Sequence, residues 1–375
     1  MNALENTDSD IGFNIPNSYY EFQNQFCEPN IKKVQVWIET QRDFNFWNSI
    51  LEGKISNTEF NIQSTETFVE DGKVGTGCSR ILYLVSKGNI ELGKNSIVCI
   101  DSDYYCISKL MNSSFDHSTQ FHTAIDIITD YSKNFVFRTL IHSKECAFYI
   151  ERFIREEIRK CICVSNIDEI KICFSEILSE ISKTIKFYFI FILKIHNENK
   201  ITLDERNKIL KSLLEEISII KQIPISYFED VNSFVESPIF ISFKEKIEIL
   251  HSTLISQHSE ANENIEILIK NIESFSINDS NLFYFLRGHD VAEILKGIAN
   301  SYIKAIKNDH QSLLESELAS KGCDENSIKT MRTDVMGSYR NNIQPGIFDT
   351  NYQNIHQNEY IKIVFDCIKD CISTP

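Results

Sequence analysis

The chain has 375 residues, of which 42% are hydrophobic, so it is long enough for two domains and has enough apolar residues to bury a core. Its formal net charge is −15, which argues against bulk electrostatic capture of nucleic acid but leaves room for a local basic groove or a basic partner. The apolar stretch at 185–195 is too short to span a membrane, and Lys186 and Lys194 interrupt it, so we expect no membrane association.

The first residues and the cysteines indicate a reducing compartment. Residues 1–12 are polar and acidic, without the basic-then-apolar pattern of a secretory signal. The 11 cysteines show no disulfide framework or zinc-finger spacing, so they are expected to be free thiols. Together these features predict a cytoplasmic protein.

The first 150 residues divide into an arm and an α/β domain. Residues 1–30 are polar and read as an N-terminal arm. Residues 31–150 alternate short apolar runs with helical patterns, which predicts a parallel sheet with helical crossovers. The expected strands are 34–38, 65–69, 96–100 and 135–139, and the expected helices are 42–52 and 78–87.

The rest of the chain, 151–375, reads as a mostly α-helical domain with a C-terminal extension. Isoleucine and leucine recur at helical spacing between Glu and Lys residues. Pro224 and Pro238 are expected to mark a loop, and the tail from 332 is expected to be a loop followed by a last helix near 360–371. The expected helices are 146–163, 166–196, 203–222, 244–257, 261–275 and 291–307.

Three carboxylates follow the two most apolar runs of the α/β domain. Glu39 follows 34–38, and Asp101 and Asp103 follow 96–100. In an open parallel sheet, groups just beyond the strand ends meet in one crevice. Carboxylate oxygens are the ligands that a hard cation prefers, so the three residues predict a site for a divalent cation, Mg²⁺ or Mn²⁺.

The same residues resemble the TOPRIM family. The segment 38–44 (IETQRDF) looks like the strand-Glu motif of that family, Asp101-Ser102-Asp103 looks like its Asp-x-Asp, and Gly75–Gly77 lies where TOPRIM domains place a glycine turn. The chain is most similar to TOPRIM-like proteins encoded beside ABC-type or AAA-type ATPases in bacterial anti-phage loci, including the toxin component of the PARIS system. Two later segments, 139–149 (TLIHSKECAFY) and 283–290 (FYFLRGHD), also resemble that group.

The resemblance implies a metal-dependent nuclease that acts as an anti-phage effector. Its substrate would be RNA, such as tRNA, rather than DNA. A partner ATPase would restrain the activity, and the chain would form a homo-oligomer. Glu39, Asp101 and Asp103 would be both the metal ligands and the catalytic residues.

Four further residues are second-tier candidates. Asp43 opens a helix and is expected to cap it, with a supporting role at the metal as the other reading. Glu145 opens a helix within the segment 139–149. Arg287 and His289 belong to the Arg-Gly-His-Asp segment and could contact a phosphate or a second subunit, whereas the alternative reading makes Asp290 a helix N-cap.

Two alternatives to a nuclease stay open at this point. Thr40 replaces the usual Gly after the first Glu, and Cys146 replaces an Asn after Glu145, so the domain could be a degenerate binding module that scaffolds or regulates an ATPase. A phosphoacceptor domain that uses Asp101 is a weaker option, because its Lys and Thr partners cannot be named. The chain has no GxxxxGK[ST] pattern and no GxSxG pattern.

Overall fold

The computed structural model describes Tyr19 and residues 31–67, 77–112, 135–340 and 352–373. The expected arm, apart from Tyr19, and the first two residues of the glycine turn lie outside these ranges. The strands and α-helices of the described residues are β1 (Lys32–Ile38), α1 (Phe44–Leu51), β2 (Thr58–Ser64), α2 (Cys78–Ser86), β3 (Ser96–Ile100), α3 (Tyr105–Asn112), β4 (Val136–Arg138), α4 (Glu151–Ile162), α5 (Phe174–Asn197), α6 (Leu203–Ile217), α7 (Val231–Glu236), α8 (Pro238–Gln257), α9 (Ile265–Ser274), α10 (Gly288–Ser320), α11 (Glu325–Gly337) and α12 (Glu359–Ser373).

The chain divides into two compact units. The sheet unit comprises Met1–Asp101, Thr129–Thr139 and Glu359–Pro375, and the helical unit comprises Ser102–Ile128 and Leu140–Asn358. The expected boundaries at 30 and 150 do not coincide with this division. The division separates Asp101 from Asp103 and assigns the C-terminal helix to the sheet unit.

The sheet is α/β in type, as predicted. Its four strands are all parallel and lie in the order β2-β1-β3-β4. The strands β1 and β3 form the centre, and β3 is buried throughout. Short β-branched runs with no polar alternation are typical of such strands, because helices cover both faces of a parallel sheet.

One strand lies elsewhere than expected. Residues 58–64 form β2, and residues 65–67 of the expected strand 65–69 form a 3-10 helix, while its last two residues lie outside the described ranges. The strand forms one edge of the described sheet, and its side chains alternate between exposed and buried. In such a half-exposed edge strand apolar residues alternate with polar ones, which is a weaker sequence signal than an uninterrupted apolar run.

The core of the sheet unit packs one face of the sheet against α2. Trp37, Val98 and Ile100 contribute from the strands, and Ile81 and Leu84 from the helix. These side chains are at most 2% exposed. Burial of this kind contributes about 1.5–3 kcal/mol for each large side chain.

The C-terminal helix α12 belongs to this unit and contacts α1 and β4. Lys32 Nζ donates to the Ile372 carbonyl oxygen at 2.7 Å. That bond satisfies one of the carbonyl groups that a helix C-terminus leaves without an intrahelical partner.

The helical unit is built around α5. All residues of the apolar stretch 185–195 except the exposed Phe187 are buried, so this stretch forms the centre of the helix. Lys186 lies at 2.9 Å from Glu273 and 2.6 Å from Asp279, so its charge is paired where the helix enters the core. No helix among the described residues is long and apolar enough to cross a membrane.

Several boundaries of the helical unit differ from expectation; α5, for example, begins at Phe174 rather than at 166. Residues 325–337 form α11, although a loop was expected from 332, and only Met336 of this helix is buried. Helix α10 extends over 33 residues, well beyond the expected 291–307. Pro238 does not lie in a loop but at the first position of α8, where its missing N–H costs nothing.

Candidate active site at the strand ends and a cavity in the helical unit

Glu39 and Asp101 lie at the carboxyl ends of the two central strands. Glu39 follows β1, Asp101 follows β3, and Ile38 pairs with Cys99 in the register. The chain passes from β1 outward to β2 and then returns to the other side of β1 for β3. The crevice between β1 and β3 is therefore the topological switch point, where open α/β sheets bind ligands.

The Glu39 carboxylate is held in this crevice by two donors. Its Oε1 accepts a hydrogen bond from the Asp101 N–H at 2.9 Å and another from the Cys78 thiol at 2.8 Å. The two acidic residues predicted from the sequence are thus brought together directly. We refer to Glu39, Asp101, Cys78 and their neighbours Arg80 and Arg138 as the strand-end site.

The two arginines are the part of this site that sequence reasoning missed. Arg80 Nη2 donates to the Glu39 carbonyl at 3.1 Å, and Arg138 Nη1 donates to the Asp101 carbonyl at 3.1 Å. Arg138 ends β4 just as Glu39 follows β1, so a charged residue at the end of an apolar run was the available signal. Two guanidinium groups thus hold the backbone at the ends of β1 and β3, and guanidinium is the group that best matches a phosphate.

Gly77 fits this site closely. It is the N-cap of α2 with φ +64° and ψ −139°, a conformation that is essentially open only to glycine. A Cβ at this position would lie 3.0 Å from Glu39 Oε2. The glycine predicted at the turn is therefore needed both for its backbone and for the space beside the carboxylate.

Asp43 caps a helix rather than reaching into the strand-end site. It ends the 3-10 helix Gln41–Asp43, and its Oδ2 accepts from the Thr40 N–H and from Thr40 Oγ1, each at 2.9 Å. These bonds form a capping box. The capping role expected for Asp43 is confirmed.

Asp103 belongs to the helical unit and lines a cavity there. Its N–H donates to the His142 carbonyl at 2.7 Å, and its φ is +48°. The cavity has a volume of about 310 Å³ and is also lined by Tyr104, Arg206 and Arg287. We refer to it as the helical-unit cavity.

Two buried aromatic side chains, Tyr104 and His142, line that cavity. The rings of Tyr104 and His142 are 4.6 Å apart in an edge-to-face arrangement, and the Arg206 guanidinium lies 5.2 Å from the Tyr104 ring centre. Burial and the nearby Arg287 and Arg206 lower the pKa of His142 to about 3. Burial raises the pKa of Tyr104, so both rings are neutral at physiological pH.

The remaining second-tier residues lie in the helical unit. Glu145 opens the 3-10 helix Lys144–Phe148, and its Oε1 is 3.6 Å from His289 Nε2. Arg287 is the N-cap of α10, and its Nη1 is 3.6 Å from Asp290 Oδ2. Asp290 is therefore in the first turn of α10 and not at the N-cap expected for it.

Gly288 has a packing role rather than a turn role. It is the first residue of α10, and a Cβ there would collide with Ser143 Oγ and lie 3.2 Å from Cys146 Sγ. Tyr149 also donates its hydroxyl to the Gly288 carbonyl. The two late segments singled out in the sequence, 139–149 and 283–290, are thus packed against each other.

Across the described ranges 31–67, 77–112, 135–340 and 352–373, no group of three or more His, Cys, Asp or Glu side chains is arranged to hold a metal ion. The strand-end site contains Glu39 and Asp101, and one or two carboxylates suffice for Mg²⁺ when waters and a phosphate complete its shell. The donor types therefore fit Mg²⁺ even though the expected group of three is not formed among the described residues.

In comparisons with known proteins, no family model, curated protein or solved structure matches this chain.

Proposed function

We propose that the chain is a metal-dependent phosphodiesterase, a nuclease whose active site is the strand-end site of a TOPRIM-like sheet. The observation that carries the proposal is the position of Glu39 and Asp101, joined by a hydrogen bond at the switch point of the sheet. The guanidinium groups of Arg80 and Arg138 at the same edge add the positive charge that a phosphodiester needs.

Glu39 and Asp101 would hold a Mg²⁺ ion, which Mn²⁺ could replace. Bound there, the ion would polarise a phosphoryl oxygen and neutralise developing negative charge. Asp103 is not required by this scheme, since two carboxylates suffice. Its part as a third ligand stays a prediction.

The side chains of the strand-end site have separable roles in this proposal. Arg80 and Arg138 would orient a non-bridging phosphate oxygen through charge-assisted hydrogen bonds. Glu39 would bind the metal ion or accept a proton from the attacking water or ribose hydroxyl, and its Oε1 is held by the Asp101 N–H and the Cys78 thiol. These two bonds orient the carboxylate before any substrate arrives.

The substrate and setting in this proposal come from the sequence resemblance. We take the substrate to be RNA, such as tRNA, and the protein to be an anti-phage effector restrained by an ABC-type or AAA-type ATPase. The net charge of −15 supports a system in which metal ions and arginines, rather than a broad basic face, recruit the nucleic acid. Cytoplasmic location and homo-oligomerisation belong to the same proposal.

The test replaces Glu39 by Gln, which keeps the size of the side chain and removes its charge. Glu59→Gln is the matched control, because Glu59 is an exposed carboxylate of the same sheet that pairs with Lys33. With Mg²⁺ present, E59Q should cleave an RNA pool at the wild-type rate and E39Q should be at least about 100-fold slower. Unchanged cleavage by a folded E39Q protein would sink the assignment.

A second candidate function is a binding module that has lost catalysis. The specific observation in its favour is that the described residues form no three-ligand metal group, while the Glu39 carboxylate is already bonded by Cys78 and by the Asp101 N–H. Calorimetry separates the two. Failure to bind Mg²⁺ or Mn²⁺ at millimolar concentration, combined with intact ATPase association, would favour the binding module.

A further inference from the structure

The helical-unit cavity has the features of a small-molecule site, and it is composed entirely of residues from one compact unit. We propose that it binds a phosphate monoester carried on an apolar or aromatic body, as in a nucleoside monophosphate. This site is additional to the strand-end site and does not depend on the chain being a nuclease.

The first argument is the charge of the lining. Arg206, Lys211 and Arg287 contribute three positive groups, against the single carboxylate of Asp103. Such an excess is unexpected in a chain whose net charge is −15. Positive groups collected around a concavity attract and hold a phosphate more strongly than scattered surface lysines do.

The second argument is the state of the two arginines. Within the described residues no carboxylate lies within 4.0 Å of Arg206, whose guanidinium instead lies over the Tyr104 ring and contacts Asn207 Oδ1. Arg287 approaches Asp290 only to 3.6 Å and is 55% exposed. Both guanidiniums therefore retain N–H donors for an anion such as phosphate.

The third argument is an unpartnered polar atom in the cavity wall. His142 is only 5% exposed, and its Nδ1 finds no hydrogen-bond partner among the described residues. Leaving a buried ring nitrogen unpaired costs free energy, so such an atom in a native structure calls for a ligand or an ordered water. A phosphate hydroxyl or a ribose hydroxyl would satisfy it.

The fourth argument concerns the remainder of the ligand. Leu210 and Leu214 form an apolar part of the lining, and Tyr104 adds an aromatic ring. Inorganic phosphate would use none of this surface, whereas a nucleoside would cover it. The volume of about 310 Å³ lies at the small end of ligand pockets, which favours a monophosphate over a longer polyphosphate.

The test measures binding of adenosine 5′-monophosphate and of adenosine by calorimetry to the full chain. The variant is Arg206→Gln, and the matched control is Lys208→Gln, which removes one positive charge from the same helix at an exposed position outside the cavity lining. We expect the monophosphate to bind wild type and K208Q equally and R206Q about 10- to 100-fold more weakly. Adenosine should bind at least about tenfold more weakly than its monophosphate.

The proposal would be overturned if the monophosphate did not bind at millimolar concentration, or if folded R206Q bound it as tightly as wild type does. It would also be overturned if adenosine bound as tightly as its monophosphate. Thermal melting identifies a variant that has failed to fold, and Arg206→Lys, which keeps the charge, should then restore part of the affinity.

Two further arms locate the ligand. E39Q should bind the monophosphate as wild type does, and loss of binding in E39Q would assign the ligand to the strand-end site and overturn the cavity proposal. A dinucleotide with a 5′-phosphate should be compared with its 5′-hydroxyl form. Tighter, Arg206-dependent binding of the phosphorylated dinucleotide than of the monophosphate would support the phosphate site and identify its source as a nucleic-acid end.

Discussion

Replacing Gly77 by Ala should destabilise the sheet unit and displace the Glu39 carboxylate. Gly77 has φ +64°, and an added Cβ would lie 3.0 Å from Glu39 Oε2. Gly53 offers a matched control in the same unit, because it has φ +66° but an added Cβ there would have no atom within 4 Å. Both variants place an alanine at positive φ, but only Gly77→Ala brings a Cβ against Glu39.

The expected magnitude follows from these two terms. Backbone strain at a position open essentially only to glycine costs about 1–3 kcal/mol. Moving the carboxylate would weaken its bond to the Asp101 N–H, which adds about 1 kcal/mol. We expect G77A to lower the free energy of unfolding by about 2–4 kcal/mol, and G53A by about 1–2 kcal/mol.

Urea unfolding followed by tryptophan fluorescence is a suitable assay, because both tryptophans of the chain, Trp37 and Trp47, are buried in the sheet unit. In a Glu39→Ala background the contact part of the G77A effect should vanish while the strain part remains. Equal losses for G77A and G53A, or the same G77A loss with and without Glu39, would refute the proposed contact.

Three further experiments test the contacts and the burial of individual residues. Gly288→Ala should lower the free energy of unfolding by about 1–3 kcal/mol, and adding Ser143→Ala should restore part of it, as a double-mutant cycle in urea would show. Burial raises the pKa of the Cys173 thiol to about 11, so at pH 8 iodoacetamide should alkylate the exposed Cys163 at least about tenfold faster than Cys173. Mass spectrometry should show the alkylation of Cys173 becoming faster as the pH approaches 11. Thr40→Ala should cost about 0.5–2 kcal/mol by removing the hydroxyl bond of the capping box, whereas Thr40→Ser should cost less, as measured by the same urea titration.

The central strands were predictable because their environment is simple. Residues 34–38 and 96–100 are buried on both sides of the sheet, so nearly every position is apolar and the pattern has no interruption beyond a single polar residue. The edge strand β2 and the helix α11 were not predictable in this way. In β2 only Phe60 and Ile62 alternate with polar residues, and α11 buries only Met336, so each gives a weaker signal than an uninterrupted apolar run.

The candidate site was predictable only in part, for a reason of topology. Glu39 and Asp101 each follow an apolar run, and the rule that parallel strands end at one edge brings them together. Arg80 and Arg138 approach the same edge from a helix and from another strand, and the sequence does not state which strands are neighbours. The cavity is harder still, since Tyr104, Arg206 and Arg287 lie about 80–100 residues apart in the chain.

Thr40, beside Glu39, has a structural role of its own. Its φ of −136° and ψ of 158° are extended values that any residue adopts, so the backbone here does not require glycine. The threonine hydroxyl instead joins the capping box with Asp43, which fixes the turn that leads from Glu39 into α1. Because that box engages Oδ2 of Asp43, the nuclease proposal assigns the metal to Glu39 and Asp101, whose backbone carbonyls the two arginines hold.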